Sequence, residues 1–141
     1  RDWGKLLHLV LSHIHYLEQK NEVIEKMYKA AMFSLNDYNQ LKMVISELFS
    51  DPKIAKFYTK DWEVKTEKEI LMKNGRTYIP DRLLFSIKTD EVIVIDYKTG
   101  VRKEEHKKQL SEYADALIMM GQNNVKQVLI YTSGNNKLDY L

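Results

Sequence analysis

Four β-branched residues in succession, Val92-Ile93-Val94-Ile95, constrain the fold more than any other feature of the chain. Successive side chains on a strand leave opposite faces of the sheet. An unbroken apolar run therefore needs cover on both faces, and this one predicts a strand over Glu91–Lys98 near the centre of a sheet packed on both sides. A sheet of that kind needs helices, and the chain supplies them in two places.

The first half reads as helical. Leu6, Leu7, Val10, Leu11, Ile14 and Leu17 follow helical spacing, and so do Val23, Ile24, Met27, Ala30 and Ala31. Asn36 or Asp37 can cap a third helix carrying Leu41, Val44, Ile45 and Leu48. Ser50-Asp51-Pro52 marks the start of a short helix over Ile54 to Tyr58. At about residue 61 the pattern changes: Trp62, Val64 and Thr66 alternate with charged residues, as on a half-exposed strand. Asn74-Gly75 predicts a hairpin turn between Glu69–Met72 and Thr77–Ile79. A further strand runs from Asp81 to Ile87 and turns through Lys88-Thr89-Asp90 into the apolar run. Leu110, Tyr113, Ala114, Leu117 and Ile118 form one helical stripe over Lys103 to Met120, and Gly121 ends it. Val125–Thr132 follows as a strand, then the turn Ser133–Asn136 and an edge strand at Lys137–Leu141. The order is helices, then β-β-β-α-β, and the unit from 91 to 132 predicts a right-handed parallel crossover.

Composition narrows the partners. The 141 residues suffice for one domain with its own core. The net charge of +2 is too small to argue for nucleic acid by itself. The absence of cysteine excludes disulfides and thiolate metal sites and suits a cytoplasmic protein. No apolar stretch approaches the about 20 residues of a membrane span, which predicts no membrane association. The chain opens on Arg1-Asp2-Trp3 without an initiator Met, so it reads as a fragment of something longer.

The chemistry gathers where the buried strand ends. Asp96 and Lys98 are two apart, so their side chains share a face. The backbone carbonyl of Tyr97 lies between them. If 81–87 pairs with 91–97 about the turn at 88–90, Asp81 falls roughly opposite Asp96 to Lys98. Two adjacent carboxylates repel unless a cation lies between them, and Mg²⁺ or Mn²⁺ is the natural occupant of such an oxygen-donor site. The lysine could orient or deprotonate a water, or stabilise a developing oxyanion. An Asp-x-Lys triplet is also a common polar strand end, so its meaning depends on its surroundings.

Those surroundings carry a resemblance. Pro80-Asp81-Arg82 with Val94-Ile95-Asp96-Tyr97-Lys98-Thr99-Gly100 is similar to the PD-(D/E)xK nuclease superfamily. More narrowly it resembles the RecB/AddA-type nuclease domain at the C-terminus of bacterial helicase–nucleases (exodeoxyribonuclease V beta-like). Gly4-Lys5-Leu6-Leu7-His8 resembles the first motif of that branch, Gln109-Leu110-Ser111-Glu112-Tyr113 its Q-x-x-x-Y motif, and Leu129-Ile130-Tyr131 the strand that follows. The matches span residue 4 to about 132. Two positions depart from the family's G-x-x-D-R-x-D: Tyr78 stands where Gly is usual, and Leu84 where a second acid is usual. Glu67 or Glu69 could supply another acidic group, or both are solvated strand charges.

The resemblance implies a restriction-endonuclease-like α/β fold, a central mixed sheet with flanking helices, in a single nuclease domain over 1–141. Residues 1–58 would form its helical N-terminal part and 61–141 its catalytic core. It implies metal-dependent hydrolysis of DNA, with His8, Asp81, Asp96 and the Tyr97 carbonyl as ligands of Mg²⁺ or Mn²⁺ and Lys98 as the catalytic lysine. Gln109 and Tyr113 would touch DNA or the lysine's surroundings. Arg102, Lys103, Lys107 and Lys108 either hold the DNA backbone or form a solvated helix start balanced by Glu104 and Glu105. His13, His15 and His106 read as surface residues. Trp3, Tyr16 and Tyr28 stack bases or pack internally. The implied substrate is single-stranded DNA fed by a helicase motor, in double-strand-break repair in the bacterial cytoplasm, with a second helicase–nuclease subunit as a possible partner. No Walker A sequence occurs here, so that motor would lie elsewhere in the polypeptide. The competing expectation is a non-catalytic DNA-binding or docking module that keeps the nuclease fold; a stand-alone nuclease related to CRISPR-adaptation enzymes is a third, although those carry iron–sulfur cysteines.

Overall fold

The apolar run becomes β5 (Glu91–Lys98), the middle strand of a five-stranded mixed sheet, with Val92 to Tyr97 all buried. The computed structural model describes residues 2–100, 103–132 and 138–140. The chain divides into two compact units, Arg1–Lys60 and Asp61–Leu141, and the division falls where the sequence changes from helical to alternating patterns.

The first unit is helical: α1 (Trp3–His13), α2 (Lys20–Lys29), α3 (Leu35–Phe49) and the single turn α4 (Pro52–Ala55). Its buried side chains include Leu6, Leu7, Val10, Leu11, Ile24, Leu41, Ile45, Leu48 and Ile54. Several boundaries correct the sequence reading. Helix α1 stops at His13, and Leu17 enters a separate 3₁₀ turn, Leu17–Gln19. Ala30 and Ala31 lie beyond α2 and are exposed, Ala31 with φ of 57°. Ser34, not Asn36 or Asp37, caps α3: its hydroxyl accepts the Asp37 N–H at 3.1 Å. That bond satisfies one of the free donors of the first turn. Asp51 caps α4 ahead of Pro52 as the sequence suggests, although a 3₁₀ turn covers Lys56–Tyr58. Tyr28 stacks on Tyr38 with ring centroids 4.5 Å apart, which is internal packing.

The second unit contains the sheet, in the order β1-β4-β5-β6-β7, and a separate two-stranded ribbon. The sheet strands are β1 (Trp62–Lys65), β4 (Arg82–Ser86), β5, β6 (Asn124–Tyr131) and β7 (Leu138–Tyr140). Strand β6 runs parallel to β5; the other pairs are antiparallel. The ribbon joins β2 (Ile70–Leu71) to β3 (Thr77–Tyr78), so the hairpin is present but stands apart from the main sheet. Its turn uses Gly75 at φ of 83°, with the Gly75 N–H donating to the Met72 carbonyl at 3.0 Å. That is a three-residue loop with glycine in the left-handed region. The turn 133–136 lies outside the described residues.

Helix α5 (Glu104–Met119) crosses from β5 to β6 and packs on one face of the sheet. Leu110, Tyr113, Ala116 and Leu117 meet Leu83, Val92, Val94, Leu129 and Tyr131 there, with Ile70 of the ribbon completing the cluster. Ile118, assigned to the stripe by spacing, is half exposed. The helix ends in a Schellman motif: Gly121 N–H donates to the Ile118 carbonyl at 3.0 Å and Gln122 N–H to the Leu117 carbonyl at 3.1 Å. Gly121 has φ of 100° and open space where a Cβ would stand, so the cost of a side chain is backbone strain alone. Gly121→Ala is expected to destabilise the protein by about 1 kcal/mol in urea titration.

Among the described residues no helix is long and apolar enough to cross a membrane.

Candidate functional site

The register of one hairpin builds the site. The Ser86 hydroxyl accepts the N–H groups of Lys88 and Thr89 at 3.3 and 3.1 Å, and the Thr89 hydroxyl accepts the Glu91 N–H at 3.2 Å. Such local bonds set the turn, and the turn sets the pairing Arg82↔Ile95. Asp81 therefore lies one step beyond the ladder, beside Asp96; the sequence reading, with strand 81–87 and a turn at 88–90, comes out one residue off, because β4 ends at Ser86 and Ile87 belongs to the turn. Alternation puts Asp81, Leu83, Val94, Asp96 and Lys98 on the α5 face.

Asp81 Oδ2 accepts the backbone N–H of Tyr97 at 2.8 Å. The N–H and C=O of an extended residue point to the same side of the strand, so the Tyr97 carbonyl also lies on the Asp81 side. The Lys98 ammonium pairs with Asp96 Oδ2 at 3.2 Å and donates to Gln109 Oε1 at 3.3 Å. The Lys98 carbonyl accepts from both the Thr132 N–H (2.9 Å) and the Thr132 hydroxyl (3.2 Å), which pins the end of β5 to the end of β6. The Lys98 side chain is one-fifth exposed (21%), whereas the Asp96 side chain is nearly enclosed at 4%. The lysine is thus the open side of the cluster.

The electrostatics follow from this burial. Burial first, then the Asp96 charge and a hydrogen bond to it, push the Asp81 carboxyl up to about 8. The Tyr97 N–H and Lys98 favour its ionised form, but they are outweighed. Near neutral pH the Asp81 carboxyl therefore keeps its proton, facing Asp96.

This donor set suits a hard divalent cation. A cation would take the place of the Asp81 proton and relieve the repulsion that keeps it there. Both carboxyl groups have lone pairs beyond the bonds they accept. Two carboxylates and a carbonyl leave room for waters and a phosphate, as Mg²⁺ or Mn²⁺ prefers. Among the described residues no group of three or more His, Asp or Glu side chains is gathered that could hold a metal ion; the acidic pair here is Asp81 and Asp96.

Of the residues expected from sequence, the second unit brings together Asp81, Asp96, Tyr97, Lys98 and Gln109, with Tyr113 packed beside them. His8 belongs to the first unit, half-buried on α1. Arg102 lies outside the described residues. Lys103 and Lys107 are on the surface and pair with Glu105 and Glu104 at 4.0 and 3.9 Å, which is the balanced helix start. Glu67 and Glu69 are exposed, and Leu84 is fully buried on the opposite sheet face from Asp81.

Two residues escape the sequence reading. Tyr78, on the ribbon, donates its hydroxyl to Asp96 Oδ1 at 3.0 Å and stacks on Tyr113, with centroids 3.6 Å apart and planes at 11°. Burial and the neighbouring Asp96 charge hold its phenol far above the ordinary tyrosine range, so it stays a donor; burial likewise pushes Tyr113 up to about 12. His106 lies partly exposed on the first turn of α5, with Nδ1 3.3 Å from the Tyr131 hydroxyl. Burial and then the Lys98 charge lower its pKa. The spacing of His106 ahead of Gln109 on one helix was a usable signal; the position of Tyr78 was not, because nothing local fixes where the ribbon folds back.

Scanned against protein-family models, the chain matches none, and no curated protein matches it.

Proposed function

We propose that this chain is a metal-dependent nuclease that hydrolyses phosphodiester bonds in DNA, and that its mixed sheet is the core of a restriction-endonuclease-like fold of the RecB/AddA type. The observation that carries this reading is the placement of Asp81 and Asp96 side by side at the end of the central buried strand, with Lys98 on the open side. Asp81, Asp96 and the Tyr97 carbonyl would hold the cation; His8 enters this reading through the resemblance alone. When bound, the cation supplies positive charge against the phosphate and acidifies the attacking water. Lys98 presents its ammonium toward solvent at the same point, where it orients that water and stabilises the charge that develops on phosphorus-bound oxygen. Gln109 holds Lys98 in place. The substrate, by the resemblance, is single-stranded DNA delivered by a helicase motor in double-strand-break repair.

The test is cleavage of labelled single-stranded DNA with Mg²⁺, Mn²⁺ or EDTA, for the wild type and Asp96→Ala. Cleavage is expected with either cation, and neither EDTA nor the variant should support it. Unchanged metal-dependent cleavage by Asp96→Ala would show the site assignment to be wrong. Absence of both cleavage and Mn²⁺ binding in the wild type would favour a docking module.

A further inference from the structure

Asp96 is held from two directions, and only one of the two partners belongs to the nuclease reading. Lys98 takes Oδ2, and Tyr78 takes Oδ1 from the ribbon. The ribbon is built to deliver that phenol. Ile70 is fully buried in the cluster beneath α5, and it pairs directly with Tyr78, so both side chains leave the same face of the ribbon. The Tyr78 ring lies flat against Tyr113, which is itself buried on α5. Its position is therefore set by the helix and the ribbon together, not by Asp96.

A carboxylate left to itself rotates broadly about its last torsion. Donors on both oxygens fix its plane, and the free lone pairs are then aimed by the protein. A neutral phenol does this without adding positive charge beside a cation site, whereas a second lysine would compete with the cation. Partners of this kind set the orientation of metal-ligating carboxylates and influence affinity nearly as much as the ligands do.

We propose that Tyr78 is a positioning residue: its hydroxyl, braced by the stack on Tyr113, holds the Asp96 carboxylate in the orientation that lets Asp96 and Asp81 share a divalent cation. The inference rests on the reading of Asp96 as a cation ligand. It also gives a role to the position at which this chain carries tyrosine in place of the glycine of the motif it resembles.

The experiment is calorimetric titration of the full chain with Mn²⁺, for the wild type, Tyr78→Phe and Asp96→Asn, with thermal unfolding in EDTA alongside. Tyr78→Phe keeps the ring and its stack and removes only the donor. It is expected to weaken Mn²⁺ binding by about 10-fold or more while the unfolding temperature in EDTA changes little, and Asp96→Asn should abolish binding. Wild-type affinity in Tyr78→Phe, with binding still lost in Asp96→Asn, would overturn the positioning role and leave the nuclease reading standing. A wild type that binds no Mn²⁺, or an Asp96→Asn variant that binds it normally, would overturn both. A fall in unfolding temperature without a fall in affinity would mark Tyr78 as a packing residue and would also overturn the proposal.

Discussion

Lys98→Ala is expected to slow metal-dependent cleavage of single-stranded DNA by about 10²–10⁴-fold, the range for loss of one group acting on the transition state, without weakening Mn²⁺ binding. The two halves of that expectation have different causes. The ammonium is 3.2 Å from Asp96 Oδ2 and competes with a cation for the same carboxylate. Removing it should leave the affinity unchanged or tighten it a few-fold, since a nearby positive charge disfavours a second one. In the proposed reaction it would act from the open side of the cluster, where no other cationic side chain of the site stands among the described residues. Lys98→Arg keeps the charge, in a planar group that does not give up its proton, and is expected to recover part of the rate. Single-turnover cleavage and Mn²⁺ titration of the same preparations check both halves. Equal loss of binding and cleavage in Lys98→Ala would mean that the lysine shapes the site and does not act on substrate.

What the sequence made legible followed from short-range rules. Val92 to Ile95 read as a strand covered on both faces, and it is the middle strand. The short reversal before the apolar run was legible, but the turn spans Ile87–Asp90, one residue more than the sequence reading gave it, and that extra residue sets the register that brings Asp81 beside Asp96. Gly75 and Gly121 stand where left-handed backbone is needed. The failures share a different origin. Ser34 caps α3 because its hydroxyl reaches the Asp37 N–H, yet Leu35 at the first helical position is exposed and gives no apolar signal. Leu17 continues the spacing of α1 but belongs to a separate turn. Ile118 sits at the edge of the α5 stripe, where the angular position alone does not decide burial. Tyr78 depended on where the ribbon packs, a contact 18 residues away from Asp96 in sequence. His106 faces Tyr131 across 25 residues. Contacts of that span are set by tertiary packing, and the local pattern holds no record of them.

The paired carboxylates make a second strong prediction, about the stability of the metal-free protein. Asp81 has a folded-state pKa raised to about 8 from an ordinary value of 3.8, chiefly by burial and then by Asp96. A carboxyl whose folded pKa lies above its unfolded one binds its proton more tightly in the folded state. Its favourable contribution is therefore complete below about pH 4 and is lost as the pH rises toward about 8. At about 1.4 kcal/mol per pKa unit, the loss across that window is on the order of a few kcal/mol. In EDTA, unfolding by urea should accordingly show a stability that declines from pH 5 to pH 8 more steeply than other groups explain. Asp81→Asn keeps the shape and an oxygen to accept the Tyr97 N–H, but removes the charge that Asp96 repels. It is expected to flatten the decline and to be more stable than the wild type at pH 8, by a few kcal/mol, while gaining little at pH 5. The same substitution removes a proposed cation ligand, so it should weaken Mn²⁺ binding as it stabilises the fold. Opposite effects of one isosteric change are what a functional carboxylate pair predicts; an Asp81 retained only for packing would lose stability on substitution and show no steepened pH dependence.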